Sequence, residues 1–395
     1  MKTHLAALLA GLSITPAMAE DWSDVQGRAA GQTVYFHAWG GDQRTNDFIA
    51  SVGEEVLAEE GVTLRHVRLA DTADAVARVL AEHAAGREDN GSVDMIWLNG
   101  PNFLAMKQQG LLHGPFVADL PNAQYLDLSE GSANSTDFTV PVEGLASPWR
   151  LARFVFPYDS ARIDPPPADM AGFVEWAAAH PGRVTHPDPA NFMGATFLKQ
   201  ALIELAPEDV DLSVPPTEAS FATATAPLWQ WYDALRPHLW RQGGSFPANE
   251  SVQHQLLNDG EVDVSMSFDP ASAAAGIEDG LLPETVRVHV PAGGSIGNVS
   301  FVAIPKNAAH VDGAKVVANA LLAPDTQARM QNIEVLGSFA VLDPARLDEA
   351  GKAAFDALPT APALPDRSDL GASLPEPHPD WATRLTDAWK ARYTK

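Results

Sequence analysis

From residue 32 onward, short runs rich in β-branched and aromatic residues alternate with longer runs whose apolar positions recur at helical spacing. That alternation predicts an α/β fold with mainly parallel strands. Residues 33–38 form the first expected strand, which Gly40-Gly41 breaks. Asp42 or Thr45 can cap the helix that follows, with Phe48, Ile49, Val52, Val56 and Leu57 on one face. Residues 62–69 read as a second strand. Asp71 or Thr72 caps a further helix to residue 85, with Val76, Val79 and Leu80 apolar. Residues 93–98 are apolar apart from Asp94, as in a central strand. Asn99-Gly100-Pro101 ends it and opens a helix, with Asn99 as the expected cap and Pro101 in the first turn.

Residues 115–147 lack clear periodicity and read as a surface excursion, after which 149–156 is an alternating strand. The proline-rich break at 164–167 marks a passage into a second lobe. Helices are expected at 170–179, 192–205, 226–240, 250–258, 311–322, 326–332 and 381–393, and strands at 184–185, 262–268, 286–290 and 299–304. Trp229, Trp231 and Trp240 are read as lobe core.

At the N-terminus, Lys2 and His4 precede an apolar run over residues 5–14, and Ala17-Met18-Ala19 offers small residues at both positions a signal peptidase inspects. A cleaved export signal over residues 1–19 is the expectation, since the run falls well short of the roughly 20 residues a spanning helix needs. The chain has no cysteine, which excludes disulfides, a thiolate nucleophile, cysteine-bound metal and a lipid-anchored cysteine. An unanchored periplasmic protein is therefore expected. The formal net charge of −25 disfavours nucleic acid and anionic lipid as partners. Scattered carboxylates read as a solubilising surface, with attraction of a cationic ligand as the sharper alternative.

Gly293-Gly294-Ser295-Ile296-Gly297 fits the Gly-x-Ser-x-Gly pattern of a hydrolase nucleophile elbow, but a strand rather than a helix is expected after it. The 12 histidines show no metal-ligand spacing, and there is no phosphate loop, so neither a metal nor a cofactor is expected. What recurs is a set of strand-end loops carrying aromatics, glycines and amides together: Trp39-Gly40-Gly41-Asp42, Asn99-Gly100-Pro101-Asn102-Phe103, Asn191-Phe192-Met193-Gly194 and Phe268-Asp269. In open α/β sheets ligands bind at such strand ends, where helix N-termini present free N–H groups. Trp39, Phe103, Phe192 and Phe268 are expected to wall a small molecule. Asp42 and Asp269 would pair with a positive group, while Asn99, Asn102, Asn191 and the backbone at Gly40, Gly41, Gly100 and Gly194 orient it. Trp149, at the expected lobe crossing, is either a further candidate or hinge packing, and Arg44 would favour an anionic group instead.

Several segments resemble the extracytoplasmic solute-binding proteins of ABC importers. Gly260-Glu261-Val262-Asp263 looks like that family's return strand, and Ile304-Pro305-Lys306-Asn307-Ala308 with Leu321-Leu322-Ala323-Pro324-Asp325-Thr326-Gln327 is similar to its late segment. Residues 94–103 and 187–194 look like the YnjB-type subfamily. The resemblance spans nearly the whole chain after residue 19. It implies a two-lobed periplasmic binding protein fold (type 2) with the ligand cleft between the lobes. Lobe 1 would hold residues 20–147 and 269–330, and lobe 2 residues 148–268 and 331–395. It also implies a monomeric receptor for a small polar solute, cationic or heteroaromatic, delivered to ABC permease subunits driven by a cytoplasmic ATPase. An exported serine hydrolase using Ser295 is the alternative, and recruitment of the binding lobes to sensing is a third reading.

Overall fold

The computed structural model describes residues 21–394, so the expected export signal lies outside them. Ten strands occur among the described residues: β1 (Thr33–Trp39), β2 (Thr63–Leu69), β3 (Met95–Leu98), β4 (Thr136–Asp137), β5 (Val140–Pro141), β6 (Ala146–Arg153), β7 (Phe156–Asp159), β8 (Val286–His289), β9 (Ser295–Ala303) and β10 (Ser373–Leu374). β1 lies between β2 and β3, parallel to both. β9 returns antiparallel beside β3, and β6 is antiparallel to its other edge. Pro148 has no N–H for a ladder, and it sits in the edge strand β6, where the register shifts between Pro148 and Arg150. Each parallel strand is followed by a helix: Gln43–Ser51 after β1, Ala73–Ala84 after β2 and Pro101–Gln108 after β3.

Two crossings join this sheet to a second α/β unit. The chain runs from β6 directly into β7, which pairs antiparallel with β8, and β9 returns with Ile296 in the second core and Phe301 in the first. The first core packs β1, β3, the outer half of β9 and the helix Val311–Leu321. The second is built from Phe154, Phe156 and the helices Phe192–Leu205, Glu218–Leu235 and Pro379–Tyr393. A smaller cluster gathers Leu257, Val262, Ala271, Leu282, Val286 and Ile333.

These cores redraw the expected lobe boundaries. Residues 286–289 pair with β7 of the second lobe rather than joining the first, whereas Leu336, Val341, Leu342 and Leu347 pack into the first core rather than the second. The stretch 115–147 is also more than a surface excursion: Phe116, Val117, Leu120, Leu126, Val140 and Val142 are buried in the first core. Its apolar residues follow 3-10 turns and a two-residue hairpin, which leave neither a 3.6 nor a 2.0 period over any useful length. The helix expected from residue 226 starts at Glu218, because Thr217 and Ser220 form a reciprocal cap there and Pro227 lies inside the helix. Residues 262–268 make isolated bridges to Val155 and Tyr158 instead of a regular strand. Trp229 and Trp231 are lobe core as expected; Trp240 is half-buried, its indole N–H donating to Glu261 at 2.8 Å.

Candidate functional site

The site grows from the carboxyl end of β3. Asn99 does not cap the next helix as expected; Gly100 takes that position with φ +58°, which glycine adopts without a Cβ penalty. A Cβ there would also stand 2.8 Å from the Phe138 ring. Freed from capping, the Asn99 side-chain amide donates to Asp137 Oδ1 at 2.8 Å and to the Val299 carbonyl at 2.7 Å. The Gly100 N–H donates to Asp137 Oδ2 at 2.6 Å. Asp137 and Phe138 are delivered by the β4–β5 hairpin, where Phe138 is held at φ +57°. A phenylalanine there costs on the order of 1 kcal/mol of backbone strain. Strain of this kind persists where the surroundings over-determine it, and functional sites are frequent locations.

The second lobe meets this hairpin with the helix Phe192–Leu205. Asn191 caps that helix through Met193 N, and Gly194 lets its first turn pack on the Pro187 and Asp188 carbonyls. Lys199, the one basic residue in a largely apolar helix, places its ammonium 4.7 Å from the Phe138 ring centre and 5.1 Å from that of Phe192. Its Nζ donates to Glu376 Oε2 at 2.5 Å, and both side chains are buried. Asn298 of β9 donates to the other Glu376 oxygen at 3.2 Å. Phe192, 47 % exposed, stands edge-on to Phe268 with ring centres 5.4 Å apart. Burial pushes the Asp137 carboxyl up to about 7, with Glu376 adding to the rise while Asn99, Gly100 and Lys199 oppose it. Burial also raises Glu376, against the opposing pull of Lys199.

A second polar group lies at the same junction. Arg150 of β6 binds Asp269 at 2.7 Å, reaches Thr45 Oγ1 at 3.4 Å and lies 5.5 Å from the Trp97 ring centre. Asp269 also accepts from Ser338 Oγ at 2.5 Å, and burial raises its carboxyl. Ser267 Oγ donates to Glu250 at 2.5 Å. Burial, reinforced by Asp269 and Asp42, pushes Glu250 up to about 7. His254 Nε2 stands 3.8 Å from Glu250, and burial pushes its imidazole down to about 4. The Trp39 loop faces this group through Asp42, whose carboxylate caps the helix Gln43–Ser51 at Thr45 N, 2.7 Å away. The Trp39 ring lies so close to Gly41 that a Cβ there would be 2.3 Å from it.

Of the residues expected in a site, Asn99, Gly100, Phe192 and Phe268 come together around Asp137 and Lys199. Asp42 and Asp269 lie with the Arg150 and Glu250 group, whereas Gly41 packs on the Trp39 ring, Gly40 lies against Arg68, and Asn102 is partly exposed on its helix. Other placements differ from expectation or decide between its alternatives. Phe103 is fully buried in the first core, because the first turn of its helix packs onto the sheet, so its ring does not line the junction. Trp149 is fully buried as well, edge-on to Trp97 at 5.0 Å, and acts as packing beneath the crossing. Asp269 is committed to Arg150 and Ser338 rather than left for a solute. Arg44, the argument for an anionic solute, is spent on Asp279 at 2.5 and 2.7 Å and on the Ile333 and Ala275 carbonyls.

Sequence reasoning missed Asp137, Phe138, Arg150, Lys199, Glu250, His254 and Glu376. Lys199 carried a legible signal, a lone cation in a helix whose remaining positions are largely apolar. Ser295 opens β9, fully buried, with its hydroxyl making no hydrogen bond; a nucleophile elbow instead needs an exposed serine at a strand-to-helix turn.

Comparison with known proteins gives a consistent picture. Residues 52–362 match the family described as bacterial extracellular solute-binding protein. The chain is 41% identical over 392 residues to protein YnjB of Escherichia coli strain K12, covering 99% of each. Among solved structures it is similar to the periplasmic binding protein AfuA from Actinobacillus pleuropneumoniae with fructose-6-phosphate bound, at a TM-score of 0.64 and 14% identity, covering 92% of this chain and 99% of that one. It is likewise similar to iron-bound HitA from Pseudomonas aeruginosa, at a TM-score of 0.59 and 16% identity, covering 90% and 98%. Those two carry very different ligands on one fold, so the fold alone does not choose a solute.

Proposed function

The chain belongs to the bacterial extracellular solute-binding proteins of ABC importers, and from that premise we propose that it captures a small polar solute between its lobes and delivers it to a membrane permease. The observation that carries this reading is the pair of rings, Phe138 from one lobe and the half-exposed Phe192 from the other, that lie near the Lys199 ammonium beside buried polar groups; we place the solute's notch there. Aromatic faces beside a few convergent polar groups are the usual makeup of a small-molecule site. Such a makeup suits cationic and heteroaromatic solutes. A solute touching both lobes favours the form in which they meet, and that form is what a permease can recognise as loaded.

In this reading the protein is a monomer that performs no chemistry, works with permease subunits and their ATPase, and is freed into the periplasm by cleavage after Ala19 without a lipid anchor. Among the described residues no helix is long and apolar enough to cross a membrane. Small-angle X-ray scattering of the purified receptor against pooled small metabolites tests the proposal. Contraction on binding, abolished by Phe192→Ala, is the expected outcome. Binding without contraction, or contraction indifferent to Phe192, would refute capture between the lobes at this notch.

A further inference from the structure

We infer that the interlobe site selects a positively charged solute, and that Asp137 from one lobe and Glu250 from the other set that preference. The inference rests on the receptor reading above and narrows its solute. The cations whose fields reach these carboxyls are already committed. Lys199 is bound to Glu376 at 2.5 Å, with the Phe138 and Phe192 rings close to its ammonium. Arg150 is bound to Asp269 at 2.7 Å. Arg44, the guanidinium on the helix that Asp42 caps, is held by Asp279.

What remains is a charge deficit. Asp137 accepts from the Asn99 amide and the Gly100 N–H and faces Glu376 and Lys199, yet among the described residues no basic side chain pairs with it. Glu250 accepts from Ser267 and faces Asp42, Asp269 and Arg150; the basic side chain within reach of it is the His254 imidazole, which burial keeps neutral near pH 7. Asp137 is buried and Glu250 keeps 26 % of its side chain exposed, so the demand is strongest at Asp137; a carboxylate withdrawn from water without a counter-charge takes a proton instead. An ammonium or cationic ring nitrogen entering from the solute supplies the missing charge and releases that proton. An anion would meet unpaired carboxyls from both lobes. Both carboxyls are held near neutrality, so capture weakens as pH falls below 7, by about tenfold per pH unit for each carboxyl that must ionise.

A thermal-shift titration tests this with small metabolites from a cell extract, separated by ion exchange into cationic, neutral and anionic fractions. Stabilisation by the cationic fraction is expected, stronger at pH 8 than at pH 6. Asp137→Asn and Glu250→Gln, each checked for folding by circular dichroism, should each weaken it at least tenfold in fraction concentration. Either variant tests the assignment if the other fails to fold. Stabilisation by the neutral or anionic fraction instead overturns the charge preference and leaves the receptor reading standing. If no fraction stabilises the protein, the receptor reading falls as well. A cationic response unchanged in both variants overturns the assignment to Asp137 and Glu250.

Discussion

Replacing Asp137 with asparagine should change how stability depends on pH, and the size of that change follows from the hairpin's burial. The carboxyl is 1 % exposed, and its proton is held from an ordinary value of 3.8 up to about 7, chiefly by burial. An acid that binds its proton more tightly when folded stabilises the fold at low pH, and that contribution is lost as pH climbs through the folded value. Between pH 5 and 8 the loss from this one group is about 2.5 kcal/mol. Asparagine does not titrate, so the variant should lose about 2.5 kcal/mol less than the wild type across that window. It also faces two donors, the Asn99 amide and the Gly100 N–H, with a single acceptor oxygen. The unmet donor lowers stability by about 1–3 kcal/mol at every pH, which shifts the curve without tilting it. Urea unfolding followed by tryptophan fluorescence at intervals from pH 5 to 8 separates tilt from shift. Parallel curves for wild type and variant would refute the claim that this carboxyl is held protonated by burial.

Other perturbations test the remaining parts of the site. Lys199→Met leaves Glu376 buried without its cation and should cost about 3–5 kcal/mol in urea unfolding, whereas the double replacement Lys199→Met with Glu376→Leu should recover most of that loss. Phe192→Ala removes an exposed ring and its edge contact with Phe268, so folding stability should fall by no more than about 1.5 kcal/mol while solute affinity drops at least tenfold in calorimetry. Arg44→Ala breaks the two-point bond to Asp279 and the links to the Ile333 and Ala275 carbonyls; a loss of about 1–3 kcal/mol on chemical unfolding is expected, with solute charge preference unaltered. Ser295→Ala removes a buried hydroxyl with no partner, so stability should hold or rise by about 1 kcal/mol, and no esterase activity should depend on it.

The parts of this molecule legible in the sequence are those governed by local periodicity. The helix 192–205 is legible to the residue because its residues form one largely apolar run, and β1 and β2 are bounded to within one residue by their glycine and turn signals. The hairpin that delivers Asp137 was not legible, since its turn uses Phe138-Thr139 where the left-handed conformation ordinarily calls for asparagine or glycine. Glu376 lies in a proline-rich segment whose packing is decided by β9 and Lys199, 78 and 177 residues away in sequence. Phe103 was misplaced for a related reason: the loop it follows belongs to the site, but one helical turn rotates the ring into the core.

These long-range placements also explain how one fold can discriminate between loaded and empty states. Moving a two-lobed receptor from mostly open to mostly closed requires about 5.5 kcal/mol of preference for the closed form. Aromatic contact with Phe192 and Phe138 supplies part of it but does not depend on what charge the solute bears. Carboxyls divided between the lobes do depend on it. Bringing Asp137 toward the Glu376–Lys199 pair, and Asp42 toward Glu250, adds like charge that Lys199 and Arg150 offset only in part, so without a further cation ionisation costs more as the lobes approach. A cation between them reverses the sign of that term, turning mutual repulsion into shared attraction. The charge that selects the solute is then the charge that draws the lobes together, which ties recognition at the cleft to the shape presented to the permease.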